Sequence, residues 1–283
     1  MSLSLMANPY DSLRLIALTQ VTSPRPLFVF LPGMDGTGLS LQAQRDGLDQ
    51  NFNVRCLSMS PSDRSGWGEL TERTATLIKM EQDRNPGQMT IICGESFGGC
   101  LALSLIFRFP DLCDQLILVN PASSARNQLW IHPCSAITKL LPVPLYNLST
   151  LGLCDLLIAS HRVRKSMKRR LLSAMQSVGP ETAAWRLSLL KQFDVDDFAV
   201  DRAHQSTLIM VSGADRLLPS RSEASRLTRY LPGARTFVLP QSGHACLLES
   251  QVNLLDILKL QAEGSNRSLS CLPVVVQPMN LVL

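Results

Sequence analysis

Ser96 stands in Gly94-Glu95-Ser96-Phe97-Gly98-Gly99, directly after the apolar run 89–93 and ahead of the apolar stretch 97–109. Glycine is a poor residue for a strand or helix interior, so three glycines in six positions need a reason. An ordinary loop is one reading. A strained strand-to-helix turn that lifts a serine hydroxyl out of the backbone is the other, and there only small flanking residues avoid clashes. A strand before the motif and a helix after it favour the turn. The helix would also aim its first N–H groups at the place where an oxyanion forms.

A serine hydroxyl is a weak nucleophile at neutral pH and needs a base, which in turn needs a carboxylate to orient it. The chain has four histidines, at 132, 161, 204 and 244. His132 adjoins Pro133, His161 opens a basic run, and His204 precedes a strand-like stretch. His244 lies in Gln241-Ser242-Gly243-His244, just past the last strand-like run, so it belongs at the same carboxyl edge of a parallel sheet as Ser96. Asp215 follows the run 207–211 within Ser212-Gly213-Ala214-Asp215. The order Ser96, Asp215, His244 suits a serine nucleophile on this kind of sheet. A second oxyanion donor should come from an early loop, and Leu31-Pro32-Gly33-Met34-Asp35-Gly36-Thr37-Gly38 follows the run 26–31. The N–H groups of Met34 and Phe97 are the expected hole, each such donor contributing on the order of a hundredfold in turnover. No lysine follows these glycines, which argues against a phosphate loop. Gly33, Asp35 and Glu95 are assigned as substrate contacts, although Asp before Gly reads first as a turn former.

The elements that must position these groups alternate along the chain. Strand-like runs at 26–31, 53–59, 89–93, 115–119, 207–211 and 236–239 are separated by helical patterns at 39–48, 70–83, 97–109, 221–230 and 245–260. Short, wholly apolar strands interleaved with helices imply an α/β fold, a mostly parallel sheet with helices on both faces. Residues 122–204 hold helical stretches without a convincing strand and read as a helical cap inserted into a core of 1–121 and 205–261. Residues 262–283 read as an irregular tail. The chain has 283 residues, 45% hydrophobic and 18% charged, with a net charge of +4. That suits one large globular domain with an insertion, and is far from a nucleic-acid-binding balance. The eight cysteines form no C-x-x-C pair. They read as reduced thiols, with no disulfide framework and no metal site. With no signal peptide and no apolar run long enough to span a bilayer, the expectation is a cytoplasmic protein without a cofactor.

The motifs extend beyond these general features. LPGMDGTG, MSPSDRSGWGEL, CGESFGGCLAL, LILVNPASS, SGADRLLPS and SGHACLLE, spread over residues 26 to about 260, resemble the hydrolase-like part of the plastid and cyanobacterial phytyl ester synthase/diacylglycerol acyltransferase-like family. The resemblance implies an α/β-hydrolase fold and acyl chemistry on lipid or prenyl esters, with Ser96 acylated, His244 shuttling the proton and Asp215 orienting it. Family members carry a further acyltransferase-like part marked by His-x4-Asp. No histidine here is followed by aspartate at that spacing, so chemistry through Ser96 is expected, with water as the most accessible acceptor.

The cap carries Leu140, Leu141, Val143, Leu145, Leu148, Leu151, Leu153, Leu156, Leu157 and Ile158, suited to an acyl or prenyl chain or simply to packing on the core. Residues 161–170 hold six Lys/Arg in ten. They read either as a solvated helix face or as a contact, through 162–170, with an acyl carrier protein or an anionic, thylakoid-type membrane surface. Two other function classes fit the scaffold. One is a small-molecule enzyme of another reaction type, a carbon–carbon hydrolase, lyase or cofactor-free haloperoxidase. The other is a non-catalytic binding protein. Dehalogenase and epoxide hydrolase chemistry needs a carboxylate where Ser96 stands.

Overall fold

The computed structural model describes residues 12–18, 25–198 and 203–263. Seven strands form one sheet in the order β1-β3-β2-β4-β5-β6-β7. They are β1 (Leu13–Ala17), β2 (Leu27–Leu31), β3 (Asn53–Met59), β4 (Thr90–Glu95), β5 (Gln115–Val119), β6 (Ser206–Ser212) and β7 (Arg235–Leu239). All neighbours pair in parallel except β1, which runs antiparallel to β3. Every residue of β2 and β4 is buried. Such strands read as continuous apolar runs because both faces are covered by helices.

Ten helices accompany the sheet among the described residues: α1 (Leu39–Gln42), α2 (Arg45–Asn51), α3 (Trp67–Arg84), α4 (Phe97–Arg108), α5 (Ile131–Leu140), α6 (Val143–Leu157), α7 (Lys165–Ser177), α8 (Pro180–Gln192), α9 (Ser220–Leu227) and α10 (Leu254–Glu263). The larger core cluster takes in α3, α4, α9 and part of the α5/α8 pair, and a second cluster lies against α2 and α10. Helices α5–α8 form a wholly helical insertion between β5 and β6.

Three expectations from the sequence need correction. Strand β1 was not anticipated, because on this edge only Leu13 is buried while Arg14 and Ile16 face out. The pattern at 39–48 is two helices. The pattern at 245–260 is a single 3-10 turn at Cys246–Leu248, then α10 from Leu254. The last two share one cause. Gln44, buried between α1 and α2, donates from Nε2 to the carbonyls of Leu247 (2.7 Å) and Val252 (2.9 Å) and accepts from the Leu254 N–H (2.8 Å). Its amide thus satisfies backbone groups left unpaired at the break, which a continuous helix would have paired internally. Of the tail expected from 262, Ala262 and Glu263 end α10, and the rest lies outside the described residues.

The seven described cysteines are unpaired thiols, six of them buried. No helix among the described residues is long and apolar enough to cross a membrane, and no cluster of metal-ligating side chains occurs among them.

Candidate active site

Strands β2, β4, β5, β6 and β7 all end at one edge of the sheet, and the residues just beyond those ends make the site. Ser96 follows β4 with φ 53° and ψ −111°, in the positive-φ region that a residue with a side chain adopts only under constraint. Its N–H donates to the Val119 carbonyl (3.0 Å), and its own carbonyl accepts from Gly99 (2.9 Å) and Ala122 (3.1 Å). The flanking glycines follow from close approach. A Cβ on Gly98 would lie 2.0 Å from the Leu31 carbonyl oxygen, and one on Gly94 would lie 2.4 Å from that of Gly98.

His244 and Asp215 converge on this turn from β7 and β6. The Nε2 atom of His244 is 2.9 Å from Ser96 Oγ, and its Nδ1 is 2.8 Å from Asp215 Oδ2. His244 and Asp215 are buried, whereas Ser96 keeps partial exposure. Asp215 also accepts the N–H groups of Leu217 (2.8 Å) and Leu218 (3.0 Å) and the hydroxyl of Ser220. Burial alone would raise its pKa. The charge of His244 and the hydrogen bonds from His244, Ser220 and Leu218 outweigh burial and hold the carboxyl below its usual range. Asp215 thus stays ionised and fixes the ring so that Nε2 faces the hydroxyl, an arrangement able to take and return the serine proton.

The loop after β2 lies beside Ser96, with a Cβ on Gly33 falling 3.8 Å from the serine Cβ. Among the described residues the N–H groups of Met34 and Phe97 make no backbone hydrogen bond, so both are available to an oxyanion. The Phe97 ring is buried and stacks on Trp67 at 4.7 Å, so only its backbone concerns the chemistry. Asp35 accepts from the Thr37 N–H (2.8 Å) and hydroxyl, the turn-forming role usual for Asp before Gly. Desolvation by the surrounding protein raises the pKa of its carboxyl, against the lowering effect of the Thr37 hydrogen bonds and the Arg186 charge. Glu95 is buried, accepts from Ser40 Oγ through one oxygen, and leaves the other without a partner. Burial foremost, and then the charge of Asp35, push its pKa up to about 7 against the pull of Ser40 and His244.

Sequence reasoning missed four residues that position these groups. Asn120, at φ 43°, follows β5 directly. Its Nδ2 donates to Ser212 Oγ (2.8 Å) and the His244 carbonyl (2.7 Å), and its Oδ1 accepts from the Ser212 N–H (2.8 Å). Asn tolerates this conformation better than most residues, and an Asn between an apolar strand and a proline was a readable signal. Glu249, fully buried, accepts from the Gly243 N–H (2.8 Å), Ser242 Oγ (2.9 Å) and Arg162 Nε, and so braces the loop carrying His244. Arg162 reaches it from the insertion, where the Leu157 carbonyl also accepts the Ala245 N–H (2.9 Å). Arg186, from α8, donates to the carbonyls of Met34 (2.5 Å) and Ser60 (2.9 Å) and pins the loop after β2. No local pattern marks Arg162 or Arg186, since Glu249, Met34 and Ser60 lie more than eighty residues from them. A cleft of about 460 Å³ between the loop after β3 and α8 contains none of Ser96, Asp215 or His244.

Comparison with known proteins agrees with this architecture. Residues 61–251 match the family described as serine aminopeptidase, S33. The chain is 32% identical over 259 residues to phytyl ester synthase 1, chloroplastic, of Arabidopsis thaliana, covering 83% of this chain and 36% of that protein. It therefore spans little more than a third of that relative. It is 27% identical over 254 residues to the putative carbamate hydrolase RutD of Acinetobacter baylyi, covering 83% of this chain and 93% of that protein. An esterase from Exiguobacterium antarcticum superposes with a TM-score of 0.71 at 17% identity, over 89% of this chain and 94% of its own. That last likeness speaks to the fold alone.

Proposed function

The chain belongs to the α/β-hydrolase family described as serine aminopeptidase, S33, and from that premise we propose that it is a serine hydrolase or acyltransferase acting on an apolar acyl ester through an acyl-enzyme on Ser96. The observation that carries the proposal is the Ser96–His244–Asp215 chain, with contacts of 2.9 and 2.8 Å. Ser96 Oγ attacks the acyl carbon as His244 Nε2 takes its proton. Asp215 holds the Nδ1–H and stabilises the imidazolium, and the N–H groups of Met34 and Phe97 receive the oxyanion. Collapse of the adduct breaks the ester bond, and His244 gives the proton to the leaving alkoxide. Water or a second alcohol then attacks the acyl-serine, losing its proton to His244, which returns it to Ser96.

The 32% identity to a phytyl ester synthase supports a long-chain or prenyl ester as substrate. The nearly full-length match to a putative carbamate hydrolase supports a second reading, a small carbamate or amide. Unpaired, buried thiols suit a reducing compartment. The test is fluorophosphonate labelling of the parent and of Ser96→Ala, followed by turnover of an ester chain-length series with and without added phytol, and of a simple carbamate. Labelling that survives Ser96→Ala would overturn the acyl-enzyme. A preference for the carbamate would overturn the lipid substrate.

A further inference from the structure

The insertion exposes an apolar surface that its own packing leaves uncovered. Nine of the thirteen large hydrophobic side chains exposed among the described residues fall between 129 and 156, including Leu140 at 81% and Leu148 at 62%. On α6 the buried positions are Tyr146, Thr150 and Cys154, one stripe at four-residue spacing. The opposite side carries Leu145, Leu148 and Leu156, all exposed, around Gly152. A helix apolar on every side belongs in a core or against lipid, yet this one faces solvent over half its circumference.

Charge beside this face says what covers it. Residues 129–178 contain seven Lys/Arg against one acid, Asp155, a balance of +6 in a chain whose total is +4. Helix α7 packs along α6, joined to it by the Lys168–Asp155 ion pair. Within the basic run, Arg162 is taken by Glu249, Lys168 by Asp155 and Arg170 by Gln42. Arg164, Lys165 and Arg169 are exposed, and no acidic partner engages them among the described residues. Lys165 and Arg169 stand one turn apart on the outer side of α7. Apolar side chains on one helix with free cations on the next are what a surface of acyl chains and anionic headgroups binds, whereas a soluble acidic protein would need only the cations.

We propose that the exposed face of α6, flanked by Lys165 and Arg169 of α7, docks this protein on an anionic lipid surface. The proposal is independent of the chemistry at Ser96. It is tested by flotation of the Ser96→Ala chain with vesicles of phosphatidylcholine alone or mixed with phosphatidylglycerol, at low and high salt. Binding to the anionic vesicles is expected, weakened by salt. Leu148→Glu/Leu156→Glu should lower it at least tenfold with unchanged thermal stability, since both side chains are exposed. Lys165→Gln/Arg169→Gln should lower it by about fivefold per cation removed. Absence of binding to anionic vesicles overturns the proposal. So does binding that the leucine variant retains, which would show that the cations alone hold the vesicle and the apolar face takes no part. Self-association of the parent that the leucine variant abolishes, without vesicle binding, would assign the face to a second copy of the chain.

Discussion

Glu95 contributes to the dependence of this protein's stability on pH. It is buried immediately before Ser96, with one oxygen accepting from Ser40 and the other unpartnered, and burial lifts its pKa from 4.5 to about 7. Between those values the folded chain holds a proton that the unfolded chain has released. Its contribution is therefore fully present below about pH 4.5, declines through the window, and is lost above about pH 7. At about 1.4 kcal/mol per pH unit, the interval corresponds to about 3 kcal/mol.

Glu95→Gln removes the titration and keeps a carbonyl for Ser40. The free energy of urea unfolding, measured for both proteins from about pH 4 to about pH 9, should show the variant gaining on the parent through this window and levelling off at about 3 kcal/mol of relative stability. The difference between the two proteins cancels groups they share that do not interact with Glu95, whereas Asp35, coupled to it by charge, titrates together with it. A difference independent of pH would refute the raised pKa. A difference of opposite slope would mean that the Ser40 hydrogen bond and the His244 charge outweigh burial and keep Glu95 ionised.

Other perturbations test the scaffold around the serine. Gly98→Ala places a methyl group 2.0 Å from the Leu31 carbonyl oxygen and should destabilise by about 3 kcal/mol. Gly66→Ala, with open space around it, should leave the melting temperature unchanged. Arg162→Met leaves Glu249 charged and buried, so a loss of about 3–5 kcal/mol is expected in denaturant unfolding, partly recovered by adding Glu249→Gln. Arg186→Lys replaces a fork that reaches two carbonyls with a single ammonium. It should lower kcat by roughly tenfold or more with little change in KM, as expected for a misplaced oxyanion donor.

What was legible in the sequence follows from the range of the interactions. Strands β2 to β6 announce themselves as apolar runs because both faces are buried. The common polarity of β2 to β7 then puts Ser96, Asp215 and His244 at one edge, where the structure brings them within hydrogen-bond distance. Edge strand β1 buries one side chain and leaves no such signal. The helix breaks near 44 and 250 depend on the Gln44 amide reaching across two hundred residues, which no local periodicity reports. Likewise Arg186 and Arg162 are ordinary helix and loop residues until the fold presents them with Met34 and Glu249. The basic run read as one block of charge divides in the structure into residues held by the protein and residues left to solvent.

That division links the insertion to the chemistry. Leu157 ends α6 and accepts the Ala245 N–H, next to His244, while Arg162 grips Glu249 beneath the same loop. Helix α8 reaches the other half of the site through Arg186 and the Met34 carbonyl. The insertion is thus tied by hydrogen bonds to the loop that carries His244 and to the loop that carries Met34. If α6 docks on lipid, the effect should appear in the chemical step as well as in substrate capture. Turnover of a water-soluble short-chain ester should then change its kcat on addition of anionic vesicles, and Leu148→Glu/Leu156→Glu should abolish the change. A vesicle effect confined to apparent KM, or one the leucine variant keeps, would refute the coupling and leave the lipid face as a mooring alone.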